Sequence, residues 1–283
     1  MIIKKVLLAT DFSRPAMQLI DCLDEFQTMG LEEVVLVHVI DSRAPRGAAK
    51  AFQAFEQEIL NSLRANLEST GLKVKVILPV GIPYFEISKI AREENVSLIL
   101  ISSHGQGYIK NILLGSTTND VIRTSTLPVL IEKYHDVDKE TCSVMCLKKF
   151  DKVLLPLDLS LHSQILLAEI QGLSALIKEV VLLTVIEGAY DAEELDRTII
   201  NRQTLLLEKQ KQLEELRVKV KTVIRQGSAS PEIISVAEEE DVTLIMLASR
   251  GEGLIKELLL GSTAHAVIRG SKRPVLLIPS ATP

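Results

Sequence analysis

The chain has 283 residues, a net charge of −5, 47% hydrophobic residues, 4% aromatic residues and no tryptophan. This length suits two domains of roughly 140 residues better than one. The acidic balance argues against a DNA- or RNA-binding surface, which needs excess Lys and Arg. No run reaches the roughly 18 apolar residues of a membrane span, and the N-terminal apolar run ends at Thr10, too early for a signal peptide. We expect a cytoplasmic protein without a nucleic-acid or membrane partner.

Short apolar runs alternate with segments of helical period along the whole chain, which is the pattern of βαβ units on a parallel sheet. The first half predicts strands at 3–9, 33–39, 73–79, 97–102 and 128–133, and helices at 13–28, 48–69, 83–94 and 115–124. The second half predicts strands at 151–157, 179–186, 217–225, 242–248 and 274–279, and helices at 160–178, 191–216, 230–240 and 261–270. We therefore expect an α/β protein of two tandem Rossmann-like domains, each a five-stranded, parallel, doubly wound sheet with helices on both faces.

The junction of the two halves is a charged segment, 135–149, that breaks the periodicity. It predicts a linker between a first domain at 1–134 and a second domain at 150–283. Cys142 and Cys146 lie in this segment, but no His or Cys pair at ligand spacing completes a metal site beside them. We interpret them as linker thiols and expect no metal site, and with Cys22 the odd count makes a disulfide framework improbable.

One glycine-rich segment occurs twice, as SSHGQGYIKNILLGST at 102–117 and as ASRGEGLIKELLLGST at 248–263. Gly105 recurs as Gly251 and Gly115 as Gly261, at a constant offset of 146 residues (251 − 105 and 261 − 115). The chain is therefore a tandem repeat. Glycines let a backbone approach a phosphate, and a helix N-terminus with a Ser or Thr hydroxyl favours an anion. The alternative to a phosphate-binding role is a purely structural one, in which the glycines form two ordinary turns and the start of a helix. Neither a Walker A motif nor a G-x-G-x-x-G after the first strand is present, so neither a P-loop NTPase nor a dinucleotide dehydrogenase is indicated.

A second motif is also duplicated, as VLLATDFS at 6–13 and VLLPLDLS at 153–160. Asp11 and Asp158 each follow the first predicted strand of their half, at the sheet edge where ligands of such folds bind. There a carboxylate can accept hydrogen bonds from a ribose or an adenine amino group. The structural alternative is an Asx turn or a cap of the next helix.

These motifs, with the P-V-L run of the last strand, resemble the tandem form of the universal stress protein family over both halves. Nucleotide-binding members carry G-x2-G-x9-G followed by Ser or Thr; here the first glycine is replaced by Ser102 and Ala248. The resemblance implies AMP or ATP as ligand, with Mg²⁺ needed mainly for a triphosphate. From motifs and resemblance together, the residues predicted to contact the nucleotide are Asp11, Val39, Gly81, Ser102, Gly105, Gly115, Ser116 and Thr117 in the first half, and Asp158, Val185, Gly227, Ala248, Gly251, Gly261, Ser262 and Thr263 in the second.

The resemblance also assigns roles to these positions. The two aspartates lie near the adenosine, Val39 and Val185 hold adenine through their backbones, and Gly81 and Gly227 lie near the purine. From sequence alone, Val39 is a core strand residue and Gly81 a turn glycine. Single-domain members pair through their last strands, so the resemblance further implies that the two halves pack as an internal pseudo-dimer. Whether whole chains form a homodimer is open.

No catalytic residue is expected. His38 aligns with Thr184 and His104 with Arg250, so chemistry common to both copies cannot depend on either histidine. No paired carboxylates lie beside either loop. The leading hypothesis is a non-enzymatic, adenine-nucleotide-binding stress or regulatory protein. A slow ATPase or nucleotidyl-transfer enzyme remains an alternative, as does a ligand-free interaction protein in which Ser102 and Ala248 mark abandoned sites.

Overall fold

Each half of the chain folds around its own parallel β-sheet. The computed structural model describes residues 2–43, 48–105, 114–135, 142–158, 161–188, 191–250 and 260–280. The chain divides into two compact units, Ile2–Leu147 and Lys148–Pro283. None of the described helices is long and apolar enough to cross a membrane. The predicted α/β class, with two tandem parallel-sheet domains, is confirmed.

The main sheet of the first unit has five parallel strands in the order β7–β6–β1–β2–β4. The strands of this unit are β1 (Lys5–Ala9), β2 (Glu33–Val37), β3 (Ile40–Asp41), β4 (Lys73–Ile77), β5 (Val80–Gly81), β6 (Leu98–Ser102), β7 (Val129–Glu132), β8 (Tyr134–His135) and β9 (Ser143–Val144). Its α-helices are α1 (Arg14–Met17), α2 (Leu23–Thr28), α3 (Ala48–Ser69), α4 (Pro83–Glu93) and α5 (Ser116–Thr124). Because β1 lies between β2 and β6, the strand order reverses at β1, which makes its carboxyl end the expected ligand position.

The second unit repeats this topology, with five parallel strands in the order β12–β11–β10–β13–β14. The strands are β10 (Lys152–Pro156), β11 (Glu179–Ile186), β12 (Lys219–Gln226), β13 (Leu244–Ala248) and β14 (Val275–Ile278). The helices are α6 (Leu161–Leu173), α7 (Ala192–Glu214), α8 (Ala229–Glu239) and α9 (Ser262–Gly270). The reversal of strand order falls at β10, the counterpart of β1.

The short hydrophobic runs of the sequence form the central strands of the first sheet, where their side chains are buried. β1, β2 and β6 consist almost entirely of buried Val, Leu, Ile and Ala side chains, as expected of parallel strands covered on both faces. At one edge of each sheet, β4 and β12 begin with alternating exposed and half-buried residues, and their exposed positions include lysines, Lys73, Lys75, Lys219 and Lys221. Charged side chains on such a strand discourage further pairing.

A glutamate at the end of α4 and another at the end of α8 hold two lysines each. Glu94 lies 3.1 Å from the Lys5 ammonium and 2.7 Å from that of Lys75. Its counterpart Glu240 lies 3.3 Å from Lys152 and 2.7 Å from Lys221. The lysines lower the pKa of both glutamates below its ordinary value. The two units therefore repeat each other in their ionic contacts as well as in their topology.

The helix predicted at 13–28 is interrupted. It consists of α1, a 3₁₀ segment at Gln18–Cys22, and α2. Ser13 caps α1 by accepting a hydrogen bond of 3.3 Å from the Ala16 N–H. In a 3₁₀ turn, side chains three residues apart lie on the same side, and this places both Leu19 and Cys22 in the core with no exposed area.

Part of the segment predicted to link the halves is structured within the first unit. β8 and β9 form an antiparallel pair, with Tyr134 opposite Val144 and His135 opposite Ser143. Cys142 and Val144 are buried. The charged composition of 135–149 concealed this short hairpin, because a two-residue strand is too short to show an alternating pattern.

Candidate functional site

Asp11 lies just beyond the carboxyl end of β1, where the strand order reverses. Its Oδ1 accepts a hydrogen bond of 3.0 Å from the Ser13 N–H, which forms the Asx turn considered as the structural alternative. The intervening Phe12 has a φ of 60°, a conformation uncommon for residues other than glycine. The Asx turn therefore fixes the Asp11 carboxylate at the end of β1.

The structure brings Asp11 and the glycine loop into direct contact. A Cβ atom added to Gly105 would collide with Asp11 Oδ2. A Cβ added to Gly115 would make only ordinary contacts, 3.5 Å from the Ser103 carbonyl oxygen and 3.9 Å from the Gly105 nitrogen. The two duplicated sequence motifs therefore meet at one place in the first unit, and a side chain at position 105 would displace the Asp11 carboxylate.

The last glycine of each repeated segment, Gly115 or Gly261, opens a helix that lacks a side-chain cap. The Gly115 N–H donates to the Ser103 carbonyl over 2.8 Å, and the Gly261 N–H donates to the Ser249 carbonyl over 2.7 Å. Gly115 and Gly261 are the N-cap residues of α5 and α9, and neither helix has a side-chain hydrogen bond at its cap. The predicted hydroxyl residues are the first two of each helix: Ser116, Thr117, Ser262 and Thr263. Both helix starts thus offer N–H groups and hydroxyls to an anion. Gly251 lies outside the described residues.

Of the two residues that replace the first glycine of the resembled motif, Ser102 makes hydrogen bonds that hold the following turn. Ser102 ends β6 and is 5% exposed. Its hydroxyl donates to the His104 carbonyl over 2.5 Å and accepts from the His104 N–H over 3.2 Å. Thr118 Oγ1 donates to the Ser102 carbonyl over 2.6 Å. In the second unit Ala248 ends β13, and the next residue, Ser249, accepts from the Ser280 N–H over 2.9 Å. Each copy therefore holds its turn with different hydrogen bonds.

The two valines predicted to border the adenine differ in their surroundings. Val39 is half-buried and lies between β2 and β3, two residues beyond the end of β2 at Val37. Its interpretation from sequence alone as a core strand residue is therefore wrong. Val185 lies within β11, opposite Arg225 of β12, and is also half-buried. The N–H groups on either side of Val39, those of His38 and Ile40, donate to the Ile77 and Pro79 carbonyls over 3.3 and 2.9 Å.

Gly81 and Gly227 each face a glutamate five residues later. A Cβ on Gly81 would lie 2.6 Å from Glu86 Cγ, and a Cβ on Gly227 would lie 3.1 Å from Glu232 Oε1. Gly227 also has a φ of 146°, which side chains rarely tolerate. Asp41 pairs with Gly81 between β3 and β5. Sequence reasoning missed the two glutamates, although their shared spacing from the glycine in both copies was a usable signal.

Two further residues missed from the sequence lie on equivalent helices. Arg202 of α7 donates from Nη1 to the backbone carbonyl of Asp158 over 3.1 Å. Glu56 of α3 places Oε1 3.6 Å from Nε2 of His38. These side chains approach the carboxyl ends of the central strands from the same helix position in each unit. Only an alignment of the copies could have revealed them, since neither belongs to a motif.

An ion pair lies beside the first site. Arg43 donates to Asp41 Oδ1 from Nε over 2.9 Å and to Oδ2 from Nη2 over 2.6 Å. Hydrogen bonds from Arg43 hold the pKa of Asp41 below its ordinary value. Among the residues that the structure describes, no group of three or more His, Cys, Asp or Glu side chains could hold a metal ion.

These features define a class: a tandem α/β protein in which each parallel sheet carries an aspartate after its first strand and is followed by a glycine, Gly115 or Gly261, that opens a helix without a side-chain cap. The model of the universal stress protein family matches residues 3–133 and again 149–279. The chain therefore belongs to the universal stress protein family, in its two-domain form.

Comparison with known proteins agrees with this assignment. The universal stress protein MJ0577 of Methanocaldococcus jannaschii is 40% identical over 153 residues, which cover 46% of this chain and 94% of that protein. About one unit of this chain thus corresponds to the whole relative. The crystal structure of a universal stress protein from Archaeoglobus fulgidus matches with a TM-score of 0.75 and 28% identity, covering 98% of this chain and 96% of that one. The functionally unknown protein PA1789 from Pseudomonas aeruginosa shares the fold, with a TM-score of 0.70 and 18% identity over 98% of this chain and 93% of that chain.

Proposed function

We propose that this protein binds an adenine nucleotide, AMP or ATP, at the carboxyl edge of one or both sheets, and that it acts as a stress or regulatory protein rather than as an enzyme. Family membership supports nucleotide binding in general. The observation that carries the proposal is the contact between Gly105 and the Asp11 carboxylate beside the uncapped start of α5. A sugar-binding carboxylate and a phosphate-binding helix start then lie side by side.

The phosphate groups would be held by the first turn of α5 or α9. Gly115 N–H is already bonded to Ser103, and the Thr118 hydroxyl is bonded to Ser102. The phosphates would therefore accept from the following backbone N–H groups and from the hydroxyls of Ser116 and Thr117. The partial positive charge of a helix N-terminus favours this arrangement. With ATP, Mg²⁺ would offset the additional phosphate charge, because no P-loop lysine is present.

The non-enzymatic role rests on the surroundings of the loop. In the first unit Ser103 Oγ lies 2.9 Å from His104 Nδ1, the spacing of a nucleophile and its base. Ser103 has no exposed area, so its hydroxyl is not accessible to a substrate. In the second unit the corresponding residues are Ser249 and Arg250, and arginine cannot act as a general base near neutral pH.

Isothermal titration calorimetry with AMP and ATP, with and without Mg²⁺, tests binding. We expect dissociation constants below about 1 mM for at least one nucleotide, a free energy of at least about −4 kcal/mol. In the double variant Ser116→Glu/Ser262→Glu, each new carboxylate lies where a phosphate would bind, yet an acidic residue suits the first turn of a helix. Binding should weaken at least about tenfold without loss of helical circular dichroism.

A matched control adds the same two charges elsewhere. Asn66→Glu and Gln212→Glu lie at exposed, equivalent positions of α3 and α7, and this variant should bind as the wild type does. The proposal is wrong if the wild type shows no binding below millimolar concentration, or if the Ser116→Glu/Ser262→Glu protein binds as tightly as the control. Nucleotide turnover above background that disappears in the same variant would instead establish an enzyme. Mass spectrometry of natively purified protein tests for carried-over nucleotide, which a ligand-free interaction protein would lack.

A further inference from the structure

The two candidate sites differ in charge at one equivalent position. Glu56 of α3 and Arg202 of α7 are separated by the repeat offset (202 − 56 = 146). In the second unit the Arg202 guanidinium donates to the Asp158 carbonyl, 3.1 Å away, at the end of β10. In the first unit the same helix position carries a carboxylate, whose Oε1 lies 3.6 Å from His38 Nε2. A positive group in one unit is thus replaced by a negative group in the other.

The first-unit carboxylate is close to the end of β1. His38, its neighbour, has Nδ1 2.8 Å from the Thr10 carbonyl, and its ring centroid lies 4.2 Å from that of Phe12. Thr10 and Phe12 flank Asp11 in the chain. His38 itself is 8% exposed, so the Glu56 carboxylate is held against a buried ring one side chain away from the candidate site. Its other oxygen, Oε2, is buried and has no hydrogen-bond partner among the described residues.

Other aligned positions beside the sites change charge in both directions, since Gln106 and Asn111 of the glycine-rich segment are replaced by Glu252 and Glu257, while two other positions change the opposite way. His104 is replaced by Arg250, and Asp120 of α5 by Ala266 of α9. Both replacements make the second site more positive. Arg43 of the first unit has no basic counterpart, since Ala189 aligns with it. The Arg43 charge is, however, compensated by its double hydrogen bond to Asp41.

We propose that the charge at this helix position discriminates between nucleotides: Arg202 favours the nucleotide with more phosphates in the second unit, and Glu56 disfavours it in the first. Arg202 and Glu56 are the specificity-determining residues at the equivalent position. This inference rests on the proposed nucleotide binding and goes beyond it, because it assigns opposite charge effects to the two halves. The source of the effect is long-range attraction or repulsion by one fixed charge, which does not require that either side chain touch a phosphate.

The expected size follows from Coulomb's law. ATP without a metal carries about two more negative charges than AMP at neutral pH. A fixed unit charge roughly 10 Å away in a water-like medium changes the affinity by about twofold for each of these additional charges. Removing one fixed charge should therefore change the ATP-to-AMP affinity ratio by about fourfold. The effect should shrink in about 1 M salt, where charges are screened over roughly 3 Å. It should also shrink with Mg²⁺, which neutralises much of the additional charge.

The experiment measures each site separately in the full chain. Ser116→Glu closes the first site and leaves the second open, and Ser262→Glu does the reverse. With only the second site open, Arg202→Gln should lower the ATP-to-AMP affinity ratio by about fourfold. With only the first site open, Glu56→Gln should raise the ratio by a similar factor. Calorimetry in EDTA at low and at high salt provides the affinities.

The opposite signs separate charge from structural damage, since a merely structural defect would weaken AMP and ATP together and would persist in high salt. If both single-site proteins bind nucleotide but the two ratios change by less than about 1.5-fold, or change in the same direction, the charge assignment is wrong while nucleotide binding stands. If neither single-site protein nor the wild type binds AMP or ATP, the proposed function itself fails, and this inference fails with it.

Discussion

The contact between Gly105 and Asp11 makes a quantitative prediction for Gly105→Ala. The added methyl group would occupy the position of Asp11 Oδ2, so the carboxylate must rotate away. That movement breaks the hydrogen bond of 3.0 Å from the Ser13 N–H. A hydrogen bond to a charged acceptor contributes about 1.5–3 kcal/mol, and we expect the free energy of unfolding of the first unit to fall by about that amount.

Gly115→Ala is the matched control in the same loop. Its new Cβ would lie no closer than 3.5 Å to a neighbouring atom, and Gly115 has a φ of −64°, which alanine adopts readily. Only the poorer helix-capping propensity of alanine should matter, at about 0.5–1 kcal/mol. The difference between the two glycine variants therefore isolates the collision with Asp11 from the general cost of a side chain in this loop.

A double-mutant cycle with Asp11→Ala completes the test. Once the carboxylate is gone, Gly105→Ala should cost less than about 0.5 kcal/mol, so that the two changes show a strong coupling energy. The assay is urea unfolding followed by circular dichroism, with amide hydrogen exchange assigning the loss to the first unit, because two domains need not unfold together. An equal cost of Gly105→Ala in the wild-type and Asp11→Ala proteins would refute the contact.

Two further predictions concern stability. The pKa of Glu94 is held below its ordinary value of 4.5 by hydrogen bonds from Lys75 and Lys5, so its contribution is present above that value and is lost as the pH falls through the lowered pKa. Glu94→Gln should cost about 1 kcal/mol at pH 7 and flatten the acid limb of a plot of unfolding midpoint against pH; an unchanged acid limb would contradict this. Gly227→Ala should cost about 1–3 kcal/mol because of its φ of 146°, whereas Gly81→Ala, which needs only a shift of the flexible Glu86 side chain, should cost less in thermal unfolding. A larger loss for Gly81→Ala would show that the backbone conformation is not the dominant cost.

Part of the candidate site was accessible from the chain itself. The repeat placed Asp11 and Asp158 after the first strand of each half, and both lie at the carboxyl end of a central strand. The predicted hydroxyl residues, such as Ser116 and Ser262, start helices. Strand termini and helix starts depend on short, local patterns of apolar residues, glycine and serine, and these patterns are visible in a single sequence.

The remaining parts of the site depend on contacts between distant segments. The predicted strand at 33–39 ends at Val37, and a second short pairing, of β3 with β5, begins at Ile40, so that Val39 lies between the two paired segments. Glu86 and Glu232 contact the loop glycines only through the packing of α4 and α8. Within one copy no local pattern distinguishes such a glutamate from a solvated helix residue, and only the five-residue spacing repeated in both copies marks the pair.

The sequence by itself determined the duplication, the α/β class and the five main strands of each half, because the period of apolar residues is a local property that the sheet only has to satisfy. Only the tertiary structure decided that Gly105 meets Asp11, and that equivalent helices bring Glu56 towards one site and Arg202 towards the other. The order of strands in a sheet sets which distant residues become neighbours, and the charge at a site is the sum over those neighbours. Two copies of one motif can therefore share a backbone and still differ in the ligand that they favour.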